Sequence, residues 1–221
     1  MGVLAGAIIA DVRSTLLDPS PGTAWTDTEL YSYLSAGLLA AANIKRDLYP
    51  RIGTCPLIAG SIQLLSQLTN GDGLQLMAIY FNTTSGNAIT EGALQLLNQM
   101  VPAWRAAANQ AVDVTEYFDD ARSPLVFHVT PPNNGSGNVT MLYGAVPPVV
   151  ATSTDPINVP DVYRQALWAF TCASAFAKNS RRQDLVKADA MFQVFERWMS
   201  GGKVSQREIA MFEPSSTAGE T

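Results

Sequence analysis

Helical periodicity at both ends of the chain, with strand periodicity between them, is the pattern that most restricts how this sequence can fold. Residues 3–46 and 159–200 place apolar side chains at helical steps, and residues 55–150 carry short apolar runs broken by turn clusters. A pair of amphipathic helices must bury its stripe against something, and the partner with a matching stripe lies at the far end of the chain. This predicts an α+β fold: a four-helix bundle drawn from residues 1–50 and 159–200, an inserted β-rich lobe over 51–158, and an extended C-terminal arm over 201–221.

The first helix is expected over Val3–Leu17, with Leu4, Ile8, Val12 and Leu16 on one face. Asp18-Pro-Ser-Pro-Gly stops it, because proline cannot extend the hydrogen-bond ladder. Trp25-Thr-Asp-Thr-Glu-Leu then opens a second helix. Thr26 and Glu29 have capping-box spacing, and Trp25 with Leu30 has staple spacing. Leu30, Leu34, Leu38 and Ala41 form its stripe, and it is expected to end near Arg46. A third helix begins near Val159-Pro-Asp, with Val162, Ala166, Ala169, Phe170 and Ala173 inward. After a bend at Lys178-Asn-Ser-Arg-Arg, a fourth spans Arg182–Ser200, with Leu185, Ala188, Phe192, Phe195 and Met199 inward.

In the centre, residues 61–65 and 74–81 read as strands joined through Thr69-Asn-Gly-Asp-Gly. Ala88–Met100 has helical spacing through Ile89, Ala93, Leu96, Leu97 and Met100, and Val112–Phe118 reads as a strand. The strongest hairpin signal pairs 125–130 with 139–143 across Pro131-Pro-Asn-Asn-Gly-Ser-Gly-Asn. On the return strand Val139, Met141 and Tyr143 share one face and Thr140 and Leu142 the other. Residues 146–160 read as the connector back to the helices.

The chemistry-bearing residues are sparse. His128 is the single histidine and the one candidate base for a hydrolytic triad, but it falls mid-strand, pointing opposite to Phe127 and Val129, and reads as a surface or inter-strand histidine. Cys55 and Cys172 lack metal-ligand spacing and read as buried thiols, with a disulfide between them as the alternative. Asp113, Glu116, Asp119 and Asp120 match no calcium loop, with Asp119-Asp120 reading as turn chemistry, and Gly71, Gly73 and Gly86 match no phosphate loop. No cofactor or metal is expected. With 14 Lys and Arg against 19 Asp and Glu, the net charge of −5 disfavours a nucleic-acid-binding face. Arg181-Arg182 reads as a solvated corner. Val3–Ala10 reads as a helix stripe rather than a leader, and no apolar run reaches the roughly 18 residues of a membrane span. The sequons at Asn82, Asn134 and Asn138 read as chance matches in turn-rich loops. Trp25, Trp104, Trp168 and Trp198 read as core or interface anchors.

Several of these segments together resemble the head-to-tail adaptor proteins of tailed phages. They are Trp25-Thr-Asp-Thr-Glu-Leu, Pro102-Ala-Trp104-Arg, Phe127-His-Val-Thr-Pro-Pro132, Val139-Thr-Met-Leu-Tyr143, Pro147-Pro148 and Pro160-Asp-Val-Tyr163-Arg-Gln-Ala166. Their order holds over about residues 4–200, and the resemblance extends to the adaptors of short-tailed phages (tail tubular protein A, or gatekeeper proteins). The resemblance implies a structural virion protein at the head–tail junction, assembled in the host cytoplasm. It implies a ring of about twelve copies of this chain, bound to a portal protein above and a tail nozzle or tail hub below. DNA would be only passing cargo in the channel, with no membrane and no catalysis involved.

The arm carries one apolar island, Ile209-Ala-Met-Phe212. Ile209, Met211 and Phe212 are the candidate partner-binding residues, with an unstructured end as the plain alternative. Other functions that fit the pattern are a tail-completion or minor tail protein, a carbohydrate-binding host-recognition module, and a peptidoglycan hydrolase dependent on His128.

Overall fold

The computed structural model describes residues 3–19, 22, 24–119 and 122–200. In chain order its elements are β1 (Val3–Leu4), α1 (Ala5–Leu16), α2 (Asp27–Ile44), β2 (Pro50–Pro56), β3 (Gly60–Leu64), β4 (Gly73–Asn82), β5 (Thr90–Glu91), α3 (Leu94–Met100), β6 (Glu116–Asp119), β7 (Val126–Asn133), β8 (Asn138–Ala145), β9 (Pro156–Ile157), α4 (Arg164–Ala177) and α5 (Leu185–Met199). The fold is mixed α+β. The chain divides into two compact units: one runs up to Ala41 and resumes at Val149, and the other is Ala42–Pro148.

In the first unit, α2 opens on a reciprocal cap. The Thr26 amide donates to Glu29 Oε2 at 2.9 Å, and the Glu29 amide donates to Thr26 Oγ1 at 3.3 Å. Its stripe of Leu30, Leu34, Leu38 and Ala41 is buried as its spacing predicts. α1 starts later than its periodicity suggests. The amides of Ala5 and Gly6 are taken by the carbonyls of Asp155 and Ser153, each at 3.0 Å. Val3 and Leu4 therefore become a short strand paired with β9, and Leu4 is half exposed rather than inward. Ile8, Val12 and Leu16 are buried.

α4 packs against α5 through Phe170, whose ring meets Phe192 and Phe195 edge-on at 5.5 and 5.0 Å. On α2, Gly37 makes room for the same ring, since a Cβ there would lie 2.9 Å from Phe170 Cδ1. Two expected stripe members lie outside the seam. Val162 sits in the 3₁₀ turn before α4 and Leu185 is the first residue of α5, and both are exposed. Each occupies an opening turn that has not yet reached the packed interface. Asp184 caps α5 by accepting from the Lys187 amide at 3.0 Å.

The second unit is two facing sheets, ordered β2-β8-β4 and β3-β7-β6-β5. Their core includes Leu65, Leu76, Ile79, Tyr117, Phe127, Val129, Val139, Met141 and Tyr143. The inward face of β8 is the one its alternation predicts, with Val139, Met141 and Tyr143 buried.

The expected hairpin does not form. β7 pairs with β3 and β6, and β8 pairs with β2 and β4, so the two segments enter different sheets. Asn133 directs this crossing. Its buried side chain accepts from the amides of Gly135 at 2.8 Å and Gly137 at 3.1 Å. It also donates to the carbonyls of Ala111 at 3.2 Å and Val112 at 2.6 Å. Gly137 is needed at this corner, because a Cβ would lie 2.3 Å from Asn133 Nδ2 and 2.4 Å from the Val112 carbonyl oxygen.

The stretch 88–100 is also not one helix. Ile89 enters the core from extended chain, β5 pairs in parallel with β6, and only Leu94–Met100 is helical. The strand expected over Val112–Phe118 is confined to β6, Glu116–Asp119. β2 carries proline at both ends and no clean alternation, and its pattern does not announce a strand.

Candidate functional site

The polar side chains most deeply buried in this protein serve the backbone. Arg13, on the core face of α1, reaches across to the start of α2. Its Nε donates to Asp27 Oδ1 at 3.1 Å, Nη1 to the Asp18 carbonyl at 3.0 Å, and Nη2 to the Trp25 carbonyl at 3.2 Å. The Asp18 carboxylate returns the contact, accepting from the Ala24 amide at 3.2 Å and the Trp25 amide at 3.1 Å. The guanidinium fork thus fixes the entry of Trp25 into α2. Sequence periodicity alone misses this; the available signal was a cation beside Val12 with Asp18 and Asp27 flanking the loop.

The residues weighed for chemistry are held in structural roles. Among the described residues no group of three or more His, Cys, Asp or Glu could hold a metal ion. Cys55 and Cys172 are free, fully buried and in different units, and burial pushes each thiol up to about 12. His128 lies between the buried Phe127 and Val129 on β7, opposite Ile62 and Phe118 on its neighbours. Asp72 accepts from the Tyr143 hydroxyl at 2.9 Å and pairs with Arg51, which anchors the Asn70–Gly73 turn. Asp113 accepts from Asn87 Nδ2 at 3.0 Å. Asp119 is in β6, and Asp120 lies outside the described residues.

Three tryptophans anchor packing. Trp25 Nε1 donates to the Ala175 carbonyl at 3.1 Å, and Trp168 Nε1 to Thr15 Oγ1 at 3.2 Å. Trp104 lies 6.0 Å from Phe118, centroid to centroid, and its Nε1 donates to Asn98 Oδ1 at 3.0 Å. Arg105 stacks on the same indole and bonds the same Asn98 oxygen at 3.0 Å. The Pro102-Ala-Trp104-Arg segment therefore ties α3 to the outside of β6. Trp198, by contrast, is 44% exposed on α5.

The described residues leave several apolar side chains open on the surface. None of the seven residues of α3 is buried, and Leu96 and Met100 are 55% and 72% exposed. A helix this short is not self-supporting in water, and this one carries an open apolar face. On the first sheet Ile52 stands exposed beside the half-buried Leu142 and Ala78 of the neighbouring strands. In the helical unit a groove of about 590 Å³ opens along α1 between Ile9, Ala10, Leu17 and Asp27. Tyr163 and Phe170, expected on the third helix, are both half-buried, Tyr163 in the 3₁₀ turn just before α4 and Phe170 in the middle of α4. Ile209, Met211 and Phe212 lie outside the described residues, as does the rest of the arm. No described helix is long and apolar enough to cross a membrane.

The protein-family model SU10 adaptor protein matches residues 4–208, nearly the whole chain. No curated protein matches it. The chain belongs to the SU10 adaptor protein family, consistent with a phage head-to-tail adaptor.

Proposed function

We propose that this member of the SU10 adaptor family is a head-to-tail adaptor subunit, assembling as a ring of about twelve copies between the portal and the tail nozzle or hub of a tailed phage. The observation that carries this reading is the family match, which runs through both compact units rather than one of them. A ring closes through head-to-tail contacts between two different faces of one chain. The uncovered α3 helix and the groove along α1 supply two such dissimilar apolar faces. In this reading α1, α2, α4 and α5 act as one four-helix bundle toward the portal, and the β-rich unit faces the nozzle. Residues 201–221 form an arm whose Ile209, Met211 and Phe212 engage a partner.

The net charge of −5 supports a channel through which duplex DNA slides, because like-charged walls repel phosphates instead of holding them. The subunit works in the virion after assembly in the host cytoplasm, by contact and not by catalysis. Light scattering on the purified protein, alone and mixed with its portal, tests this. A complex containing one portal ring and multiple adaptor copies is expected, and failure to associate with portal overturns the proposal.

A further inference from the structure

The chain holds two Asn-Gly pairs, Asn70-Gly71 and Asn134-Gly135, and every other asparagine precedes a residue with a side chain. Asparagine before glycine is chemically labile. The amide nitrogen of the following residue attacks the asparagine Cγ and closes a five-membered imide, and glycine leaves that approach unhindered. The ring closes only where the side chain and the next peptide are free to turn toward each other.

The fold treats the two pairs differently. Asn134 is held on three sides. Its amide donates to the Ala111 carbonyl at 3.0 Å, its Oδ1 accepts from the Ser136 amide at 3.0 Å, and the Gly135 amide donates to Asn133 Oδ1 at 2.8 Å. Asn70 is exposed in the loop that leads into β4. Among the described residues its side chain makes one hydrogen bond, from Nδ2 to Tyr143 Oη at 3.5 Å, the long limit for such a contact. The Gly71 amide donates to the Leu68 carbonyl at 2.9 Å. Gly71 itself sits at φ +65°, with nothing within 4 Å of where a Cβ would stand. A single surface turn bond opens more readily than the set of bonds that cages Asn134.

We infer that Asn70 is a site of spontaneous deamidation in the folded protein, and that the fold protects Asn134 from the same reaction. The Gly71 nitrogen bonds to Asn70 Cγ as its proton passes to water. The Cγ–Nδ2 bond then breaks and the nitrogen leaves as ammonia. Water opens the imide at either carbonyl, giving aspartate or isoaspartate, so the net exchange is one water in and one ammonia out. The new carboxylate stands next to Asp72, which accepts from the Tyr143 hydroxyl at 2.9 Å and pairs with Arg51. A second negative charge competes for Arg51, and isoaspartate also lengthens the main chain by one carbon. Deamidation therefore loosens the hold of this turn on β2 and β8. The inference concerns the chemistry of this turn and stands apart from the adaptor reading.

The test incubates the full-length folded protein in mildly alkaline buffer, with a urea-unfolded sample beside it. Trypsin separates the two sites, because Arg51 and Arg105 bound one peptide and Arg122 and Arg164 bound the other. Tandem mass spectrometry locates the mass gain of amide becoming acid, and isoaspartate methyltransferase labelling reports the ring. In the folded protein Asn70 is expected to convert about tenfold or more faster than Asn134, the difference set by the extra hydrogen bonds at Asn134. In urea the two sites should convert at comparable rates, and isoaspartate should appear at Asn70. Equal rates at the two sites in the folded protein, conversion of Asn70 only in urea, or aspartate without isoaspartate overturns the inference.

Discussion

The indole of Trp25 donates to the main-chain carbonyl of Ala175 across 150 residues of sequence, at 3.1 Å. One hydrogen bond thus joins the opening of α2 to the last turn of α4, inside the unit that both chain ends build. Trp25 is 1% exposed, so its loss exposes a carbonyl as well as a cavity. Trp25→Phe should cost about 1–2 kcal/mol by orphaning that carbonyl, and Trp25→Ala about 3–5 kcal/mol by adding the cavity. Urea unfolding followed by circular dichroism measures both; equal stability of wild type and Trp25→Phe would refute the role assigned to this bond.

Asn133 satisfies two amides and two carbonyls at the point where the chain leaves one sheet for the other. Asn133→Ala should cost about 3 kcal/mol or more, because several buried backbone groups lose partners at once. Gly137→Ala should also destabilise through its clash with the Asn133 side chain. The check is the denaturation midpoint of each variant against wild type.

Glu29 and Lys178 meet at 2.5 Å. The bond from Lys178, joined by the Thr26 amide, holds the Glu29 carboxyl below its ordinary 4.5, and the bond to Glu29 holds the Lys178 ammonium above its ordinary 10.5. The glutamate's contribution is therefore full above its unfolded value and fades as pH falls through its lower folded value. The lysine's contribution is full below its unfolded value and fades as pH rises through its higher folded one. Glu29→Gln should flatten the acid limb of a stability–pH profile. Asp155, held low by the Ala151 amide, and Asp184, held low by the Lys187 amide, would still leave a residual slope. An unchanged acid limb would show that the pair is too solvated to matter.

Leu96→Ser with Met100→Ser probes the open face of α3. Because neither side chain is buried, monomer stability should move by no more than about 0.5 kcal/mol. Ring assembly should weaken about tenfold or more if this face is a subunit contact. Sedimentation of the variant in the presence of portal reports the second quantity, and thermal unfolding of the free subunit the first.

What could be read from sequence here was what neighbours in the chain decide. The Thr26–Glu29 cap, the α2 stripe and the inward face of β8 depend on spacings of three, four and two residues, and each appears as spaced. The destination of β8 depends on Asn133 bonding residues more than 20 positions back, and a turn-rich loop before an alternating run looks the same whether it closes a hairpin or crosses between sheets. Helical spacing over 88–100 misled because Ile89 and Leu97 satisfy different layers, a strand edge and a surface helix. The role of Arg13 escaped periodicity for the same reason: its partners Asp18, Trp25 and Asp27 are placed by a loop whose course periodicity does not encode.

The adaptor account is tested most directly by electron microscopy of the intact virion with this chain labelled at its surface. The account predicts label in a closed ring directly beneath the portal, with duplex density on the axis. Label found instead along the tail tube or at its tip, with a different protein filling the ring below the portal, would contradict it.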